Sequence, residues 1–239
     1  MTIEHFLIVA IGVSIGFYVN TIVGFSAALV AFPFILLVMN MRDAVGLESI
    51  LFLFSSIILT CKNYKLIDKR IIGELIIGIL IGLGIGIKLL KTCDPSILKK
   101  LFGIFVLVMV AYLQFRNKKS RLFKKMGVLF GFGGGFFSVL FATGGPAVVA
   151  YIQNKIDDKV VLRASIIGAL GIMNFIKFPL LIYTGIITPF LFIMSLCLMP
   201  FFLLSIHLGH RTFNKINERT FRNILMLLLT ASGLSIIFF

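Results

Sequence analysis

Charge is scarce in this chain of 239 residues: 13% are charged, and 9 Asp and Glu face 23 Lys and Arg. With 59% hydrophobic residues and a mean hydropathy of +1.11, that scarcity excludes a soluble globular domain of ordinary composition. Cysteine is scarce too. Cys61, Cys93 and Cys197 stand far apart, form no Cys-x-x-Cys, and are expected to be small buried hydrophobes. His207 and His210 have no metal-ligand spacing with other His or Cys, so no metal and no cofactor are expected. Linkers and low-complexity tracts are absent, which leaves residues 1–239 as a single membrane domain. The opening Met-Thr-Ile-Glu-His lacks a basic n-region, so the first apolar segment is expected to stay in the membrane.

What is present is apolar sequence in long runs. At about 20 residues per span the chain has room for roughly six to ten crossings, the signature of an all-α membrane protein. The net charge of +14 would suggest nucleic acid in a soluble protein. Here the basic residues sit in short loops between apolar runs, where they set orientation instead, so no nucleic-acid partner is expected. Six apolar segments read as spans, about 44–61, 71–90, 97–115, 160–183, 187–208 and 221–239. Two further charge-free stretches, 6–41 and 126–154, are interrupted by small and polar residues. The first carries Asn20-Thr21-Ile22-Val23-Gly24-Phe25-Ser26, and the second carries Gly133-Gly134-Gly135-Phe136-Phe137-Ser138 and then Thr143-Gly144-Gly145-Pro146.

The positive charges decide how often those stretches cross. If each crosses once, the Lys and Arg residues divide 12 against 11 between the two sides, which breaks the positive-inside expectation. If each enters and returns on the same side, the division becomes 17 against 6. Each half is then a broken or re-entrant helical hairpin plus three transmembrane helices, an odd number of crossings, so the halves are predicted to be inverted repeats (about 1–117 and 118–239) with both termini outside. A weak correspondence supports a duplication: Gly82-x3-Gly86-x-Lys88 lies over Ser205-x3-Gly209-x-Arg211.

Interrupted helices in matching places point to a transporter's binding site. A broken helix offers amides with partial positive charge, an anion site. Asn20, Thr21, Ser26, Ser138 and Thr143 would add side-chain donors, with glycines allowing close approach. Two such tips meeting near the midplane would form a small oxyanion cage. Gly12, Gly16, Gly78, Gly82 and Gly86 read instead as helix packing, by their small-x3-small spacing. Glu48, Glu74, Lys88 and Arg163 fall near segment ends and read as interfacial residues. Lys177 lies deeper, with Asn174 three residues earlier on the same helical face, and reads as a snorkelling residue or as an anion partner. No mid-span carboxylate is evident, so a coupling proton or cation stays undefined.

The pattern Gly12-x3-Gly16, Gly24-Phe25-Ser26-Ala27-Ala28 and Pro33, echoed by Gly127-x3-Gly131-x3-Gly135 and Thr143-Gly144-Gly145-Pro146, and closed by Gly209-His210-Arg211 and Gly233-Leu234, resembles the sulfite exporter TauE/SafE family over essentially the whole chain. The resemblance implies a prokaryotic inner-membrane permease for small sulfur-containing or carboxylate anions, of the sulfite, sulfoacetate or thiosulfate type. Where the family commonly has consecutive glycines, this sequence has Ser26, Ala27 and Ala28. The expected substrate-binding set is Asn20, Thr21, Gly24, Phe25, Ser26, Gly134, Gly135, Ser138, Thr143, Gly144, Gly145, Pro146, Asn174 and Lys177. Expected partners are a small anion and the bilayer, with a homo-oligomer left open. The competing readings are an anion channel or a non-transporting membrane partner, and an intramembrane enzyme with Ser26 or Ser138 as nucleophile. The last needs His207 or His210 as base with no acid to orient it.

Overall fold

The scarce acidic side chains begin helices. Asp158 accepts hydrogen bonds from the Val160 and Val161 amides, both at 2.8 Å. Asp68 accepts from the Arg70 amide at 2.9 Å and Asp94 from the Ser96 amide at 2.7 Å. Asn40 and Asp43 bond reciprocally. Each cap satisfies amides that a helix cannot satisfy itself. Asp158→Ala should cost about 1 kcal/mol, read as a lower unfolding temperature in detergent.

The computed structural model describes residues 2–23, 27–115, 126–213 and 230. Its helices are α1 (Ile3–Val23), α2 (Ala27–Ile35), α3 (Met41–Asn63), α4 (Lys69–Thr92), α5 (Pro95–Phe115), α6 (Gly127–Phe141), α7 (Gly145–Ile152), α8 (Lys159–Tyr183) and α9 (Pro189–Phe213), with a 3₁₀ turn at Tyr64–Leu66. Among the described residues there is no strand, and five helices (α1, α3, α4, α8 and α9) are long and apolar enough to cross a membrane. The expected 221–239 span, and Gly24, Phe25 and Ser26, lie outside the described residues. Exposed faces are apolar: Ile77, Leu80, Ile81 and Ile85 on α4, and Ile193, Leu196, Leu203 and Leu204 on α9. In water such faces would be aggregation surfaces; in lipid they are ordinary solvent contact. The same logic corrects the cysteines: Cys61 and Cys197 are exposed and Cys93 is half-buried. A thiol facing hydrocarbon has no need of the interior.

The chain forms two compact units, one of residues 1–44, 93–116 and 193–239, the other of 45–92 and 117–192, so each takes segments from both halves of the sequence. In the first, α2 folds back antiparallel on α1. A Cβ on Gly12 would lie 2.7 Å from the Phe34 Cβ, and one on Gly16 would lie 2.7 Å from the Ala27 carbonyl oxygen. Edge-to-face packing of Phe17 on Phe202, with ring centroids 4.7 Å apart, ties α1 to α9, and Phe32 against Phe102 ties α2 to α5.

In the second unit, α4 and α6 run parallel with glycines at every crossing. Gly78 faces the Val128 carbonyl, Gly82 the Phe132 carbonyl and Gly86 the Phe136 carbonyl, while Gly131 and Gly135 on α6 face the Leu75 and Ile79 carbonyls. Backbone approaches this close exist only where no Cβ intervenes. At the end of α7, Glu74 accepts hydrogen bonds from Tyr151 and Lys155. Burial works against the Lys155 ammonium, but the Glu74 and Tyr151 hydrogen bonds outweigh it and hold this lysine above its ordinary pKa.

Candidate functional site

The site in the second unit begins at the break between α6 and α7. Ala142 closes α6 in the left-handed conformation at φ 50°, a strain of about 1–2 kcal/mol for a residue with a Cβ. Thr143 and Gly144 follow, and α7 then begins with Pro146 in its first turn and no side-chain cap. α7 packs back on α6: Gly134 faces Val148 and the Gly144 carbonyl, and Phe130 lies against Tyr151 with ring centroids 5.9 Å apart. At about 1.5 Å per residue the 8-residue α7 spans about 12 Å, well short of the roughly 30 Å hydrocarbon core. The 9-residue α2 is equally short. Both interrupted stretches are therefore helical hairpins whose second arm cannot cross alone.

α8 closes the break. Its Met173 packs on Gly144, where a Cβ would come within 2.6 Å of the Met173 Cε. One turn on, Lys177 is 1% exposed and donates from Nζ to the Ser138 carbonyl at 3.2 Å. Ser138 lies in the last turn of α6, whose carbonyls lack intrahelical partners and carry the negative end of the helix dipole. Lys177 thus caps the helix that ends at the break. Opposite it, the first-turn amides of Gly145 and Ala147 are the ones helix geometry leaves without acceptors. Thr143, 4% exposed, has a hydroxyl with no hydrogen-bond partner among the described residues. A buried polar group without a partner is unfavourable, and an anion at the α7 N-terminus would supply one.

α3 completes the site. Asn174 donates from Nδ2 to the Ser56 hydroxyl at 2.9 Å, both buried. Glu48 is 0% exposed, and neither of its carboxylate oxygens has a hydrogen-bond partner among the described residues. The charge that acts on it is Lys177. Toward the other end of α3, the Thr60 hydroxyl, also buried without a partner, faces Gly171. These partners descend α3 as they climb α8, so the two helices run antiparallel along a polar seam.

Of the residues expected from the sequence, the structure gathers Gly134, Ser138, Thr143, Gly144, Gly145, Pro146, Asn174 and Lys177 around this break. Gly135 is turned instead toward the α4 backbone. Asn20 and Thr21 belong to the other unit. Asn20 is buried there, and the Thr21 hydroxyl donates to the Phe17 carbonyl at 2.8 Å while its methyl face meets Gly209 of α9. Gly24, Phe25 and Ser26 lie outside the described residues. Lys88 and Arg163 are exposed, as expected of interfacial residues. Glu48 corrects that expectation: Met41-Arg42-Asp43 make it look terminal, but α3 begins at Met41 and carries Glu48 two turns inward. The signal that could have found it is the i, i+7 recurrence of Glu48-Ser49 and Ser55-Ser56 in an otherwise apolar span. Among the described residues no group of His, Cys, Asp and Glu could hold a metal ion.

No solved structure matches the chain. A stretch of 178 residues, covering 73% of this chain and 74% of the relative, is 27% identical to a protein of Comamonas testosteroni described as "Probable inner membrane transporter protein TsaS". The family model of the sulfite exporter TauE/SafE matches residues 8–236, nearly the full length, and the chain belongs to that family of membrane transporters rather than to any class of enzyme.

Proposed function

We propose that the protein is an inner-membrane permease for a small sulfur-containing anion, an oxyanion or organosulfonate of the sulfite, thiosulfate or sulfoacetate type, working by alternating access. The observation that carries this reading is the α6–α7 break. A buried ammonium, an uncapped helix N-terminus and an unpartnered buried hydroxyl meet there within an apolar unit. Lys177 and the α7 amides supply positive potential, and Thr143 a hydroxyl donor. Ser56 holds Asn174 in place. The first interruption, with Asn20, Thr21, Gly24, Phe25 and Ser26, is the second element of the proposed pathway.

The inverted arrangement of the two halves, with both termini outside, belongs to the same proposal. It is supported by the 17-against-6 charge asymmetry. Packing supports it as well: Gly86 seats α6, and Gly209, its counterpart in the sequence correspondence, seats α1.

The direct test is counterflow of labelled sulfite, thiosulfate or sulfoacetate in proteoliposomes. Saturable exchange of at least one is expected, and flux that rises without saturation would favour a channel. Thr143→Val separates function from folding. It removes a hydroxyl that only a ligand satisfies, so affinity for the transported anion should fall about tenfold. Thermal stability without anion should stay level or rise, because an unsatisfied buried hydroxyl is lost.

A further inference from the structure

Glu48 makes no hydrogen bond to the anion-binding groups described above, yet it is the best-buried carboxylate among the described residues of the second unit and lies under the influence of the same lysine. We propose that Glu48 is a proton-carrying site that couples the anion to a proton, a role that rests on the permease reading. The argument is one of charge. With the site empty, a carboxylate at Glu48 has neither a hydrogen-bond partner among the described residues nor access to water, and only the Lys177 charge acts on it, in a region where an uncompensated charge is strongly disfavoured. An anion arriving at Lys177 and the α7 N-terminus takes over that positive charge and leaves the carboxylate opposing it. Binding one proton converts Glu48 to the neutral acid and removes one negative charge from the site. When the anion departs on the other side, the proton leaves the carboxyl oxygen and Glu48 again faces the Lys177 charge alone. One proton therefore moves with each anion in the same direction.

Among the described residues, Lys177 on α8 is the charged side chain that acts on Glu48. Lys177 itself is held by the Ser138 carbonyl of α6, which does not titrate. On α3 itself Asp43 is engaged by Asn40, and Arg42 by the Cys93 carbonyl at 3.0 Å. On α4, Glu74 is engaged by Lys155 and Tyr151. The two unpartnered carboxylate oxygens give an added proton a site with no hydrogen bond to break.

The experiment follows labelled thiosulfate, which has no proton to exchange near neutral pH, together with a pH-sensitive dye inside proteoliposomes. The wild-type protein should acidify the lumen as thiosulfate enters, and an inward proton gradient should drive its accumulation. Glu48→Gln mimics the neutral acid and should still exchange labelled for unlabelled thiosulfate while losing both proton movement and gradient-driven accumulation. Thiosulfate entry without proton movement in the wild-type protein would overturn the proposal, a result that needs no variant to fold. So would proton-driven accumulation that survives in Glu48→Gln. No movement of thiosulfate, sulfite or sulfoacetate under any gradient would instead remove the permease reading, and the coupling with it.

Discussion

Lys177→Met is expected to lower anion exchange about 100-fold or more, the effect of truncating a buried, hydrogen-bonded charge. It should also destabilise the fold by about 3–5 kcal/mol, because removing one of two buried charges that act on each other leaves the other uncompensated. Both losses have structural causes: the Ser138 carbonyl at the end of α6 loses its donor, and Glu48 loses the cation that acts on it. The double variant Lys177→Met with Glu48→Gln sorts the two. Replacing both members of a buried pair by neutral groups of similar volume is often close to neutral, so thermal stability in detergent should return toward the wild-type value. Exchange should not return, since the anion's ammonium partner is still missing. If exchange recovered along with stability, Lys177 would be a structural residue and the anion site would have to lie elsewhere.

Gly78→Leu should be severely damaging to the fold. Its Cβ would run into the Val128 carbonyl and lie 2.6 Å from the Phe132 amide nitrogen, so α4 and α6 would have to part. Backbone cannot yield as a side-chain tip does, and the expected cost is about 3 kcal/mol or more. Because α6 carries Ser138 and leads into the break, transport should fail together with folding. Size-exclusion monodispersity and thermal unfolding of the purified protein are the measurements. Gly84 on the same helix is the internal control. A Cβ there meets nothing within 4 Å, so Gly84→Ala should leave assembly intact and gain up to about 1 kcal/mol of helix propensity. Equal damage from both would mean that α4 tolerates no side chain added anywhere, and the parallel glycine seam would lose its support.

The seam illustrates what a sequence can disclose. Gly78, Gly82 and Gly86 recur every four residues, and helix geometry alone places them on one face. Their partner had to come from the structure, because Gly131 and Gly135 could equally have belonged to the binding tip. Gly135 turned out to face α4, whereas Gly134, its neighbour, faces α7. Adjacent residues on a helix point about 100° apart, so one glycine run served two purposes that its spacing could not separate. Thr143 and Lys177 were legible for a different reason: a polar residue beside Gly-Gly-Pro, or a charge deep in an apolar span, stands out against lipid-like sequence. Glu48 is not legible, because Arg42 and Asp43, only six and five positions away, give it the appearance of a residue at the end of a span.

By itself the sequence determined the solvent, because composition dictates a bilayer. It also determined the helical spans and the places where they break, since hydrocarbon enforces backbone pairing and glycine, proline and threonine mark where pairing lapses. It carried enough ordered motif to identify the family. Only the tertiary structure decided which polar groups meet. Asn174 against Ser56, Lys177 against the Ser138 carbonyl and Glu48 under its charge are interactions across 39 to 129 positions of sequence. Periodicity within one helix states which face a residue occupies; what lies opposite that face depends on the packing of another helix. The chemistry of a buried charge is fixed by that neighbour.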